Sequence, residues 1–234
     1  PEGKGNACQR GMSVAKKHLF LNYKGGTGKT SISAAYGYYL AMTGKKVLMV
    51  DLDAQAHLTT CLNQESIHKN KSLYGVIVKG EDISQTIVST SLETLKLIPS
   101  SIALSAVEPP LFRMPLREFR LRQALKAIER DYDYIVIDSA PNIGLLSLNA
   151  ILASDEILVP LLADFLSFHG LKILMETLAS IERDFYFYLG KVHIFLNRYN
   201  PEYPVSRECQ EAVNKFYPAY SLKTYINESH EIID

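Results

Sequence analysis

The ten residues Asn22-Tyr23-Lys24-Gly25-Gly26-Thr27-Gly28-Lys29-Thr30-Ser31 constrain this chain more than any other stretch. The apolar run His18-Leu19-Phe20-Leu21 before them reads as a strand. Residues 32–42 after them read as a helix that Gly44 stops. Strand, glycine-rich turn, Gly-Lys-Thr and helix are the parts of a phosphate-binding loop. Glycines let backbone N–H groups crowd round phosphate oxygens, and the helix N-terminus adds a favourable dipole. In that setting Gly25, Gly26, Thr27, Gly28 and Ser31 belong to the cradle, Lys29 neutralises the β- and γ-phosphates, and the Thr30 hydroxyl coordinates Mg²⁺.

Two more apolar runs end in acids. Residues 45–51 read as a buried parallel strand, with Asp51-Leu52-Asp53-Ala54-Gln55 at its carboxyl end, where open α/β sheets bind ligands. These acids form either a turn with a helix cap at Asp53 or a magnesium shell with a group for the attacking water. Tyr134-Ile135-Val136-Ile137-Asp138 repeats the pattern. Downstream of a phosphate loop, Asp138 becomes a candidate to hold Mg²⁺ through water. Residues 95–99, 156–160 and 192–197 read as further strands, and 220–225 as a short last one. Helical text covers 57–80, weakly 82–88, then 117–130, 143–153, 171–181 and 206–216; the prolines of 109–115 predict an irregular connection. The four arginines of 117–130 read as a solvated face rather than a nucleic-acid site, because Glu118 and Glu129 dilute them. The whole pattern predicts an α/β fold: a mostly parallel sheet with helices on both faces.

Composition narrows the class further. The 234 residues suit one domain over 13–234, with a leader or tail over 1–12 and Met12 as a natural start. No apolar stretch approaches the ~20 residues of a membrane span. Cys8, Cys61 and Cys209 lie far apart without C-x-x-C spacing, which argues against a zinc site or disulfide framework and fits a cytoplasmic protein. Formal charge is zero, so contact with nucleic acid or anionic membrane has to come from a local patch.

The usual phosphate loop, G-x-x-x-x-G-K-[ST], has glycine five residues before Gly28; here that residue is Tyr23, and a second lysine, Lys24, precedes Gly25. Lys24-Gly25-Gly26-Thr27-Gly28-Lys29-Thr30 resembles the deviant Walker A motif of the ParA/Soj/MinD family of P-loop NTPases. Asp51-Leu52-Asp53-Ala54-Gln55 resembles the family's D-x-D-P-Q motif with Ala54 for proline. Ser139-Ala140-Pro141 is similar to its D-x-P-P switch with one proline lost. The segment 164–170 is similar to a loop near the dimer interface, with Asp164 where glutamate is usual. The resemblance, closest to ParA/Soj partition ATPases, runs from about residue 17 to 234. It implies an ATPase that uses ATP/ADP and Mg²⁺ and closes as a homodimer with ATP. Lys24 then reaches the partner's nucleotide, Asp53 positions the hydrolytic water, and Asp51 supports Mg²⁺ through water. Asn197 contacts adenine in this reading; its other reading is a cap on the helix beginning near Pro204. A ParB-type partner that stimulates hydrolysis is also implied. So is non-specific DNA binding that partitions a plasmid or chromosome, which makes the protein nucleoid-associated when bound.

The end of the chain departs from the family. Where K-T-x-I-P-R-N-x-R is common, this chain has Asn227 for the proline and Glu231 for an arginine that touches DNA. From residue 191 onward five bases face six acids, so DNA binding is expected to be weakened. The family's closing helix is expected beyond residue 234. The competing reading is a MinD-like positioner of a membrane-associated or protein cargo that works without DNA, which calls for a C-terminal basic amphipathic helix.

Overall fold

Strands that are apolar at every position are built to be buried on both faces, and the central strands here are packed that way. The computed structural model describes residues 14–62 and 73–229. Its strands are β1 (Lys16–Phe20), β2 (Val47–Leu52), β3 (Val88–Ser89), β4 (Leu95–Ile98), β5 (Tyr134–Ser139), β6 (Glu156–Leu162) and β7 (Lys191–Asn197). They form one sheet in the order β3-β4-β2-β5-β1-β6-β7, parallel throughout except for the edge pair β3–β4. The helices are α1 (Lys29–Met42), α2 (His57–Cys61), α3 (Glu108–Leu111), α4 (Arg120–Lys126), α5 (Leu145–Ala153), α6 (Phe165–Phe185) and α7 (Pro204–Phe216).

Period-two alternation sorts the strand side chains between two cores. Leu19, Leu48, Val50, Ile135 and Ile137 join Leu121 of α4, Ile151 of α5 and Leu174 of α6 on one face. Phe20, Val47, Met49 and Val136 join Ala41 of α1 and Leu58 of α2 on the other. Helices therefore cover both faces, as the sequence predicts. The α1 helix lies so close to β2 that a side chain at Gly37 would overlap Met49. Parallel register sets Asp51 opposite Asp138 and Asp138 opposite Phe20. Both acids and the loop leaving β1 thus meet at one edge of the sheet. No helix of the described residues is long and apolar enough to cross a membrane.

Several local expectations are corrected. The α6 helix starts at Phe165 rather than 171, because Asp164 is its N-cap and accepts the Ser167 N–H at 2.7 Å. Residues 108–111 are helical despite two prolines, which occupy the first turn, where no N–H partner is needed. The helical text of 57–80 reduces to α2 and a π-turn at Gly75–Lys79, with 63–72 outside the described residues. Residues 82–88 give a 3₁₀ turn at Ile83–Thr86, capped by Asp82, and then β3. In 117–130 a 3₁₀ turn precedes the short α4. No strand forms over 220–225. The chain makes one isolated parallel bridge, Ser221 to Ile194, in which Ile194 N donates to Tyr220 O and Leu222 N to Ile194 O; it then bends at Lys223 and returns to β7 through Ile226 N to Leu196 O.

Candidate functional site

The phosphate loop is fixed before any ligand arrives. Asn22 Nδ2 donates to Pro160 O at 2.8 Å, and Asn22 Oδ1 accepts the Lys24 N–H at 3.0 Å. Lys29 opens α1 and turns back to donate from Nζ to Lys24 O at 3.2 Å, so the loop wraps round its own lysine. Burial lowers the Lys29 pKa, against the opposing pull of Asp138 and Asp53. Gly28 precedes Lys29 at φ +87°, and a Cβ there would lie 2.5 Å from Asn197 Nδ2. Only glycine meets both demands.

Two adjoining cavities lead from this loop. The larger, about 420 Å³, is lined by Gly25, Gly26, Gly28, Lys29, Thr30, Ser31 and Asp53, with Gln55, His57, Ser139 and Pro141 completing the wall. The second, about 220 Å³ and mostly apolar, shares Gly28 and Ser31. Ile32, Ala35 and Ile226 supply its apolar wall, and Asn197, Arg198, Asn227 and Glu228 its polar groups. Asn197 Nδ2 donates to Thr27 O at 3.0 Å and its Oδ1 accepts the Arg198 N–H. The cap reading of Asn197 fails: Tyr203 is the N-cap of α7, with no side-chain bond to the helix. Asn197 instead ties the end of β7 to the phosphate loop.

The three acids behave differently. Asp138 is fully buried, and neither carboxylate oxygen makes a hydrogen bond. Its pKa is pushed up to about 7, chiefly by burial; the nearby Thr30 hydroxyl and Lys29 oppose the shift, and Asp51 and Asp53 add to it. An orphaned carboxylate beside a threonine hydroxyl fits a hard cation that takes oxygen ligands. Asp51 is also buried, but its oxygens are committed. Oδ1 accepts the Asp53 N–H at 3.1 Å, and Oδ2 accepts the Thr59 N–H at 2.8 Å and hydroxyl at 2.7 Å. Asp51 therefore serves the third residue of α2, and Asp53 does not cap that helix as the turn-and-cap reading expects: the N-cap is Ala56, and Asp53 Oδ1 accepts the Gln55 N–H.

Lys24 stands apart from both cavities. Its Nζ donates to the Asp164 oxygens at 2.9 and 3.1 Å and to Ser167 Oγ at 2.9 Å. Burial works to raise the Asp164 pKa, but Lys24 and the Ser167 N–H and O–H outweigh it and hold it below the usual range. Three of the arginines over 117–130 also bind within the chain. Arg117 pairs with Glu118, Arg120 Nε donates to Ile77 O, and Arg122 lies over the Phe187 ring. Glu231 falls outside the described residues. His57 is a cleft residue that sequence reasoning missed; its one signal is its place two residues past Gln55.

A glycine loop that buries a lysine at the head of a helix, with carboxylates at the ends of the adjacent strand β5 and of β2 beyond it, defines a P-loop nucleotide-binding protein. A family profile described as an AAA domain matches residues 15–189. The chain is 45% identical to the cell division protein PomZ of Myxococcus xanthus, over 91% of this chain and 67% of that one. It is 34% identical to the sporulation initiation inhibitor protein Soj of Bacillus subtilis, over 91% and 84%. Among solved structures, a McdA–ATP complex from Cyanothece superposes with TM-score 0.88 at 25% identity, covering 94% of this chain and 86% of that one. Cobyrinic acid a,c-diamide synthase of Mycobacterium smegmatis, with a bound ATP analogue and magnesium, gives 0.84 at 28% identity, over 92% and 88%. The chain belongs to the ParA/Soj/MinD family of deviant Walker A ATPases.

Proposed function

We propose that this chain is an ATP-operated dimerisation switch that hydrolyses ATP to ADP and phosphate and positions a plasmid, chromosome or comparable cargo. The observation that carries the reading is the place of Lys24: an otherwise complete phosphate site has its second lysine held outside the cleft by Asp164 and Ser167. The pair is about one-third exposed on each side, and pairs of that kind contribute at most about 1 kcal/mol. A partner's triphosphate offers a stronger, multiply charged acceptor, so exchange of Asp164 for phosphate favours closure.

In the closed dimer Lys29 and the loop N–H groups hold the phosphates, and Lys24 completes the partner's charge shell. Thr30 and Asp138 would hold Mg²⁺, which when bound neutralises the β- and γ-oxygens. Asp53 orients the attacking water, and Asp51 acts through water and through the groups it already holds. The adenine base occupies the apolar cavity beside Asn197. The McdA relative solved with ATP, and the diamide synthase relative solved with an ATP analogue and magnesium, support nucleotide and Mg²⁺ as the ligands of this site.

Hydrolysis is slow on this account, because a lone subunit lacks the second lysine. Turnover per molecule should rise with protein concentration, and fast turnover independent of concentration contradicts the reading. A ParB-type partner accelerates the step. The dimer binds DNA non-specifically but weakly, given the acid-rich C-terminal segment and the internally bound arginines of α4 and its flanks. A salt-titrated DNA-retention assay with and without ATP tests this: weak, ATP-dependent, salt-sensitive retention is expected. No ATP-dependent retention favours a MinD-like positioner that works without DNA.

A further inference from the structure

We infer that Thr59 and Ser100, neither of which lines the nucleotide cavities, are positioning residues for Asp53. The inference rests on the reading that Asp53 orients the attacking water.

Four buried residues from three places in the chain form a closed ring of hydrogen bonds. Asp51, in β2, accepts the Asp53 N–H on Oδ1 and the Thr59 N–H and hydroxyl on Oδ2. The Thr59 oxygen, on α2, in turn accepts the Ser100 N–H at 3.0 Å. Ser100, two residues past the end of β4, returns the chain of bonds by donating its hydroxyl to Asp53 O at 2.5 Å. All four residues are buried.

The ring holds the Asp53 residue at both its backbone N–H and its carbonyl. Its side chain is fixed in turn, because Oδ1 accepts the Gln55 N–H. Among the described residues no protein group bonds Oδ2. That oxygen is the one free to accept from a water in the cleft that Asp53 lines. The polarity of the ring is determined. Thr59 has a single hydroxyl proton, which goes to Asp51, so its oxygen is left to accept from Ser100. Serine can replace Thr59 in both roles; valine and alanine can fill neither. In a step that depends on placing a water in line with a phosphorus atom, displacement of the orienting group by 1 Å costs about a hundredfold in rate.

The test compares Ser100→Ala, Thr59→Val and Thr59→Ser with Asp53→Ala in the full chain. It measures ATP affinity, single-turnover hydrolysis and amide hydrogen exchange of the nucleotide-free protein. Ser100→Ala and Thr59→Val should lower the hydrolysis rate by about ten- to a hundredfold while ATP affinity stays within about twofold. Thr59→Ser should restore the rate. Exchange at Asp53 and Gln55 should quicken in both damaging variants while β5 stays protected. Ser100→Ala combined with Asp53→Ala should be no slower than Asp53→Ala alone, since the ring acts only through Asp53. If Thr59→Val does not fold, Ser100→Ala, which leaves the Asp51 bonds intact, decides. A normal rate in Ser100→Ala, or a rate that falls only in proportion to ATP affinity, overturns the inference. If Asp53→Ala itself hydrolyses ATP normally, the reading of Asp53 fails and the ring loses its function. If Asp53→Ala is inactive and Ser100→Ala is normal, the ring inference alone fails.

Discussion

Asp138 keeps a carboxyl group away from solvent with no hydrogen bond to either oxygen, so its ionisation works against the folded state until a cation is bound. Its folded pKa of about 7 lies above the ordinary carboxylate value of 3.8. Between those values the folded protein holds a proton that the unfolded chain has released, so this contribution to stability is full at acid pH and is lost as pH rises toward 7. In magnesium-free buffer the Tm of Asp138→Asn relative to wild type should therefore climb from pH 4 to pH 7, and added Mg²⁺ should raise the wild type alone; a constant gap would refute the orphaned-carboxylate account. Gly28→Ala forces a side chain to φ +87° against Asn197 and should cost about 1–2 kcal/mol in nucleotide-free denaturation. Gly25→Ala meets no atom within 4 Å and should stay within about 0.5 kcal/mol. Equal losses in the two would contradict this. The glycines, Lys29 and Thr30 are legible in the sequence because the loop is local. The bond from Asn197 to Thr27 joins residues 170 apart, and no spacing rule announces it.

At the scale of elements, α6 carries the control of Lys24. Asp164 both caps that helix and holds the lysine, so the two roles can be separated by an amide. Asp164→Asn keeps an acceptor for the Ser167 N–H and should leave stability within about 1 kcal/mol. It weakens the hold on Lys24, so ATP-dependent dimers should form at lower protein concentration, read by light scattering; an unchanged threshold would mean that Lys24 is not restrained by Asp164. The cap was hidden in the sequence because Phe165 and Leu166 are 76% and 71% exposed and break the apolar period at the start of the helix. Strands were the legible elements: continuous apolar runs such as 134–138 have few other places to go. Prolines 109 and 110 misled, because the rule that they break helices does not apply to a first turn. The last strand failed for a different reason, a bend at Lys223 that strand propensity does not register.

The whole molecule is arranged so that one edge of the sheet does the work. With β1 between β5 and β6, and β2 beyond β5, the phosphate loop, Asp138 and Asp51 converge at the carboxyl ends of three adjacent strands, and the 164–167 segment that follows β6 brings Asp164 to Lys24. This parallel topology was legible from alternating strands and helices; the strand order was not, since it depends on which edges the crossovers reach. The central claim is that Lys24 leaves Asp164 to complete a second subunit's site. The direct measurement is the mass of wild type and Lys24→Ala in solution, each saturated with magnesium and a non-hydrolysable ATP analogue. The account predicts a dimer for wild type and a monomer for Lys24→Ala that still binds the analogue with affinity within about threefold of wild type; a dimer that persists in Lys24→Ala would contradict it.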